Sequence, residues 1–334
     1  VDFLPDAEQD ALAEATREYI ASRFPLIGGP NGLDDLRWKE ITGLGWLGLA
    51  TDEDAGGAGA TLLDEVFVFR EIGRGLVGGP VLTTLAAGRL AAWSGQNQLA
   101  GELIEGQLRV ARAIALPASS DDLLLIDGEQ SGLTLLVDDD RAALYTTPQN
   151  LESSPGLEDG TSVVRGRRSG LGGPFLSVDD PPTVRRLRRV LSILTCAQLA
   201  GIAGATRDLA TEHAKNRVQF GKPIGAFQAI KHKCADMATN ALAADNVTFF
   251  AAQMETVGAA GADYYTLAAA AHTRRAAFAN ARTNVQIHGA MGFTVEDSAH
   301  RFIKRTHTLC VTEGFDRAAE LLGGLPNVDM SEGS

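Results

Sequence analysis

The chain has 334 residues, of which 45% are hydrophobic and 22% charged, and a formal net charge of −12. That balance belongs to a soluble globular protein with room for two or three domains and a large core, and it excludes the broad basic surface that a nucleic-acid binder needs. Cys196, Cys234 and Cys310 are far apart and form no CxxC pair, so neither a zinc site nor a disulfide framework is indicated and each reads as a small core residue.

In chain order, Asp6 reads as the cap of a first helix in which Leu12, Ala15, Tyr19 and Ile20 recur at helical spacing. This acidic opening does not have the pattern of a secretory leader. Asp34 and Asp35 precede a second helix through Ile41, and Gly56, Gly57 and Gly59 mark a loop. Residues 62–72 space Val66, Val68, Phe69 and Ile72 for burial, with Glu65 and Arg70 outward. From about Val110 the runs ARAIAL, DLLLID, LTLLV and AALYTT are short and β-rich, residues 162–166 add a further strand, and the insert ends near Pro181 and Pro182. The basic cluster RRLRR, residues 185–189, reads as a solvated first turn or a partner for acidic groups, with a phosphate site as the alternative. From Thr183 to Gly324 the pattern is helical and alanine-rich, which suits close helix packing, and the last residues form a polar tail. No run of ~18 apolar residues is present to span a bilayer, so the expected setting is a reducing cytoplasm, without a membrane partner.

The division read from these patterns is a helical domain at 1–110, a small β domain at 111–182, a second helical domain at 183–324 and a frayed tail at 325–334. The fold class is therefore mostly α with a small β domain.

One stretch carries more chemistry than its neighbours: RVQFGKPIGAFQAIKHKCADM, residues 217–237. Arg217 falls at a helix end, where a cation suits the dipole. Gly221 lets the backbone turn, Pro223 blocks helix continuation, and Ile224, Phe227, Ile230 and Lys231 restart a helical spacing. The spacing predicts a helix–turn–helix corner; a guanidinium beside free backbone N–H groups there suits a pyrophosphate.

The wording of this stretch resembles the RxxFGxxxxxxQ signature of the acyl-CoA dehydrogenases. The segment QIHGAMGFTVEDSAHRFIKR, residues 286–305, resembles the same family's QxxGGxG(F/Y)xxE segment, with Ala290 in place of its second glycine. The opening and residues 43–76 are similar to the family's N-terminal domain. The resemblance implies an N-terminal helical domain, a middle β-barrel-like domain, here shortened, and a C-terminal four-helix bundle. It implies an FAD enzyme that oxidises an acyl-CoA thioester to a 2-enoyl-CoA, with electron-transfer flavoprotein as acceptor. Proton removal from the α carbon needs a desolvated carboxylate and a polarised thioester carbonyl.

By the same resemblance, Glu313 falls at the base position of a C-terminal YEGT-like motif, and Glu313 and Gly314 N–H groups would face the substrate carbonyl. The tyrosine of that motif is Thr312 and its threonine is Phe315; the other base position in the family falls near Leu191 and Ser192, which are not acids. The alternative for Glu313 is a helix-end carboxylate without catalytic duty, and Glu296 and Asp297 read as caps for the helix that follows. The resemblance also implies that Arg217, Gln219, Phe220, Gly221 and Gln228, with Gln286, Gly289 and Gly292, clamp the ADP portion of a flavin held by a dimer partner. The flavin-ring segments of the middle domain are not recognisable: residues 111–122 read ARAIALPASSDD, and no tryptophan follows Trp93.

This split resembles the flavin-cradle-deficient subunit of actinobacterial heterotetrameric (α2β2) acyl-CoA dehydrogenases that act on steroid side-chain CoA esters. Two alternatives stay open: a homomeric dehydrogenase using Glu313 as base and backbone groups of 117–121 around the flavin, and a non-catalytic assembly or binding protein that keeps the fold.

Overall fold

The computed structural model describes residues 5–27, 32–116, 121–149 and 151–325. In chain order these form α1 (Ala7–Arg23), α2 (Asp35–Gly43), α3 (Leu62–Arg74), α4 (Val81–Trp93) and α5 (Asn97–Ile104), then β1 (Val110–Ala115), β2 (Asp122–Ile126), β3 (Leu133–Val137), β4 (Ala142–Thr146), β5 (Glu152–Ser154), β6 (Val163–Arg167) and β7 (Leu176–Val178). They continue through α6 (Pro181–Asn216), β8 (Val218–Gln219), β9 (Lys222–Pro223), α7 (Gln228–Thr256), α8 (Ala262–His288), α9 (Ala299–Thr312) and α10 (Ala318–Gly324). The protein is mostly helical with a small mixed sheet in the middle. It folds as two compact units: Val1–Gly29, Val66–Leu76 and Ser192–Ser334 form one, and Pro30–Glu65 and Val77–Leu191 the other.

The second of these units holds the sheet, with strand order β5-β6-β2-β1-β3-β4-β7. β1 and β3 are parallel and the other pairs antiparallel. Leu133–Leu136 are all buried, which is why β3 is apolar on both faces apart from Thr134, whose hydroxyl is paired with that of Thr147 at 2.9 Å. One face of the sheet packs Val110, Leu135 and Leu144 against Leu90 of α4, Leu103 of α5 and Leu187 of α6. The opposite face gathers Ala113, Leu123, Leu125, Tyr145 and Val164. β5 and β7 are edge strands of three residues each, too short for spacing in the sequence to reveal them.

Glu65, expected to point outward, is fully buried in this unit. Its carboxylate lies 2.6 Å from the Arg89 guanidinium and accepts the Ala50 N–H at 3.0 Å. Burial pushes its pKa up, against the Arg89 charge and the Ala50 bond. The basic cluster is engaged locally: Arg186 lies 4.3 Å over the Trp93 ring and Arg188 pairs with Asp139 at 2.9 Å. Asp180 accepts from Thr183 Oγ and N–H at 2.6 and 3.0 Å and so caps α6, with Pro181 and Pro182 in a first turn that needs no intrahelical donors.

In the other unit, Asp6 forms a capping box with Gln9. The buried stripe of α1 is Ala13, Thr16 and Ile20, whereas Ala15 is exposed, one step off the expected face. Glu71 of α3 is buried and held by Arg17, Arg70 and Arg74 at 2.9, 3.2 and 3.3 Å. A Cβ on Gly201 would lie 1.9 Å from the Arg70 carbonyl oxygen, so α3 and α6 touch backbone to backbone. Alanines 200, 203, 241, 244 and 276 form the seam between α6, α7 and α8. Asn280 crosses it, donating to the Ala203 and Met237 carbonyls at 3.0 and 2.9 Å. α6 has the length and hydropathy of a membrane span, but 89% of its most apolar window is buried inside the protein, which accounts for that composition.

Candidate functional site

α6 makes its last helical bond from Arg217 N–H to His213 O at 2.8 Å. The chain then forms a β-hairpin, not the expected helix–turn–helix corner. Val218 pairs with Pro223 and Gln219 with Lys222, and Phe220 and Gly221 form the turn with φ of 54° and 78°. Two consecutive left-handed residues make the type I′ geometry that matches strand twist. Glycine enters that region freely, but a phenylalanine is disfavoured there by about 1–2 kcal/mol. Phe220 is also 92% exposed, so no burial of its ring within the chain offsets that strain.

Behind the turn, the Phe227 ring stands edge-on to Phe220 at 6.2 Å and carries Lys222 Nζ 4.4 Å from its centroid. α7 starts at Gln228, and its N-cap residue Phe227 supplies no side-chain cap. The uncapped first turn of α7, at the positive end of its dipole, therefore lies beside the Lys222 ammonium that Phe227 carries. Gln219 Nε2 donates to the carbonyl of Val218 at 2.8 Å.

The second predicted segment lies at the end of α8. Gln286 accepts from Lys233 Nζ at 3.2 Å. Gly289 ends the helix at φ 65°, ψ −140°, a conformation open essentially to glycine alone. Gly292 is buried, and a Cβ there would lie 2.8 Å from Val285 O. Ala290 has ordinary φ and is exposed, so the glycine it replaces is not required. The two segments meet through His213 and His288, whose rings stack with centroids 4.2 Å apart. His288 Nδ1 lies 2.9 Å from Asn284 O. Ala214, Ile224, Ile230, Met237 and Ile287 close the apolar floor beneath them. Arg217, Gln219, Phe220, Gly221, Gln228, Gln286, Gly289 and Gly292 thus lie at one end of the helical bundle. His213 and Lys222 join them without having been singled out by the sequence. Burial lowers the His213 pKa, with the neighbouring His288 adding to the effect.

Glu313 and Gly314 are elsewhere. Glu313 is the C-cap of α9, with its N–H donating to Leu309 O at 3.2 Å, and the Gly314 N–H donates to Val311 O at 3.3 Å. Gly314 has φ 67° and turns the chain into a 3-10 segment, Phe315–Arg317. Phe315 is 3% exposed and packs inward. Thr312 Oγ1 bonds back to Thr308 O at 2.8 Å. Burial pushes the Cys196 thiol up to about 12, and the charges of Cys310 and Glu313 act in the same direction. The turn is tied to the middle of α8 by Arg274 and Asp316, roughly four helical turns, or about 20 Å, from His288. The two candidate places, one around Arg217 and one around Glu313, are separate on one unit.

In the sheet unit, Ala115 pairs with Leu123 and Leu116 N–H donates to Asp122 O at 3.1 Å, which extends the antiparallel β1–β2 pairing to Leu116. Asp121 is committed to Ser169, accepting from its N–H and Oγ at 2.8 and 2.9 Å. Pro117–Ser120, a flavin contact in the homomeric alternative, lie outside the described residues.

Residues 6–99 match the family description "Acyl-CoA dehydrogenase, N-terminal domain" and residues 190–321 match "Acyl-CoA dehydrogenase, C-terminal domain". Over 315 residues the chain is 30% identical to acyl-CoA dehydrogenase IpdE2 of Mycobacterium tuberculosis, covering 91% of this chain and 92% of that protein. The chain belongs to the acyl-CoA dehydrogenase family. Acyl-CoA dehydrogenase FadE34 of the same organism is 34% identical over 281 residues; that match takes in 80% of this chain but 38% of the longer relative. Among solved structures, a chain of the ChsE4–ChsE5 complex from M. tuberculosis superposes with a TM-score of 0.84 at 19% identity, covering 98% of this chain and 100% of that one. This last likeness shows the acyl-CoA dehydrogenase fold. The residues between the two matched domains, 100–189, are those that carry β1–β7.

Proposed function

We propose that this chain is one subunit of a heteromeric, FAD-dependent acyl-CoA dehydrogenase and that it clamps the ADP portion of a flavin seated in a homologous partner, in an α2β2 assembly. The supporting observation is the exposed, strained Phe220 beside Arg217 and the open N-terminus of α7. Phe293 and Val295, which follow the Gly289–Gly292 segment, are also 76% and 88% exposed. A ring held outward at a conformational cost, as at Phe220, beside further exposed apolar side chains suits an interface rather than a solvated corner.

The residues fit an ADP group. Arg217 would pair with the pyrophosphate, joined by first-turn N–H groups of α7. Gln219, Gln228 and Gln286 would supply carboxamides, Phe220 and Gly221 would shape the approach, and Gly289 and Gly292 would keep the second segment close. FAD, when bound, accepts the hydride released from the substrate β carbon. Support for a partner-held ring is the commitment of Asp121 to Ser169, which leaves that carboxylate engaged within the sheet unit.

Glu313 would take the α proton onto a carboxylate oxygen. Glu313 and Gly314 N–H groups would polarise the thioester oxygen, and each must share or exchange its 3.2–3.3 Å bond to a helix carbonyl to do so. The acyl group proposed is a steroid side chain and the acceptor an electron-transfer flavoprotein, both on the family resemblance.

Replacing Arg217 with alanine in the complex tests the clamp. Loss of a charge-assisted contact should weaken flavin retention about tenfold or more, read as flavin released on dilution. Unchanged retention would count against the assignment.

A further inference from the structure

We infer that Arg274 is a positioning residue for the proposed base, holding the Glu313 turn through Asp316; this rests on the reading of Glu313 given above. α9 ends at Thr312, and Gly314 reverses the chain in the left-handed region. Beyond Glu313 the turn is fixed at two points. One is the buried Phe315 ring. The other is Asp316 Oδ1, which accepts from Arg274 Nε at 3.0 Å and from Nη2 at 2.6 Å.

Arg274 is itself held. Its guanidinium lies 5.3 Å from the Phe278 centroid, and Phe278 stands edge-on to His307 of α9 at 4.5 Å. The cation thus joins three things: the well-packed middle of α8, an aromatic contact that reaches α9, and the turn leaving α9. A carboxylate that abstracts a proton must stay within hydrogen-bond reach of the α carbon, and a shift of about 1 Å lowers turnover by up to ~100-fold. Fixing Asp316, three residues after Glu313, restrains that turn against the rest of the bundle.

The side chains of Arg274 and Asp316 are 37% and 57% exposed. A pair this open contributes little to global stability, so positioning and folding are separable. The test uses the flavin-loaded complex with its partner and the variants R274Q, D316N, the double variant, R274K and E313Q. Turnover, the pH profile of kcat/KM and the dissociation constant of a non-reactive CoA thioether are measured.

R274Q and D316N should each lower kcat about tenfold, leave thioether binding within about twofold, and shift the pH profile alike. The double variant should be no worse than either single one, because both remove one interaction. R274K should recover part of the loss. Normal kcat in R274Q and D316N, in a protein where E313Q abolishes turnover, would overturn the role of Arg274. Full turnover in E313Q would instead remove Glu313 as base and the Arg274 role with it, an outcome visible on its own.

Discussion

His213 and His288 stack at 4.2 Å and tie the C-terminal end of α6 to that of α8. Because His213 precedes Arg217 by one helical turn and His288 precedes Gly289 directly, the histidine contact is what makes two distant sequence motifs one place in space.

The contact gives a pH dependence with a defined sign. His213 titrates below its ordinary value in the folded chain, chiefly through burial, while the unfolded chain titrates near 6.5. As pH falls through about 6.5 the unfolded state takes up the proton first, so stability drops from there down to the folded-state pKa. The thermal midpoint should decline between about pH 7 and 5.5, and H213F, which keeps the ring and removes the titration, should flatten the decline. His272, lowered by burial and Arg275, leaves a residual slope of the same sign. An identical slope in H213F would exclude the assignment.

The Glu65–Arg89 pair should behave as a buried ion pair. R89A leaves a carboxylate with no counter-charge inside the protein and should cost about 3–5 kcal/mol. Replacing both residues with leucine should cost much less, since neither charge then needs solvation. Urea denaturation measures both; equal losses in the two variants would show that the charges are not coupled.

Phe220 should trade stability against function. F220G removes the left-handed strain and should leave the isolated chain as stable or stabilise it by up to about 1 kcal/mol. The same change should weaken flavin retention in the complex. Retention equal to that of the parent would mean that the exposed ring serves neither cofactor nor partner.

Much of this was legible beforehand, and the exceptions share a cause. The cap Asp6, the helix that follows Asp34 and Asp35, the switch to strands at Val110 and the alanine seam follow local rules of spacing and capping. Glu65 did not, because its partner Arg89 lies in an alanine-rich run of another helix and no local signal links them. The hairpin was hidden because Phe-Gly is not a usual type I′ pair, and the glycine alone fits several turns. The eight residues proposed as a clamp were singled out by resemblance, whereas His213 needed the fold to bring it against His288. Glu313 was located as a position, but the inward packing of Phe315 and the Arg274–Asp316 tie depend on contacts across 42 residues of sequence.

The measurement that bears most directly on the function proposed is the flavin content of the chain purified alone and purified with its family partner. Flavin present only in the co-purified complex, near one per pair, is the expected result. A yellow protein from this chain alone that oxidises an acyl-CoA would contradict it.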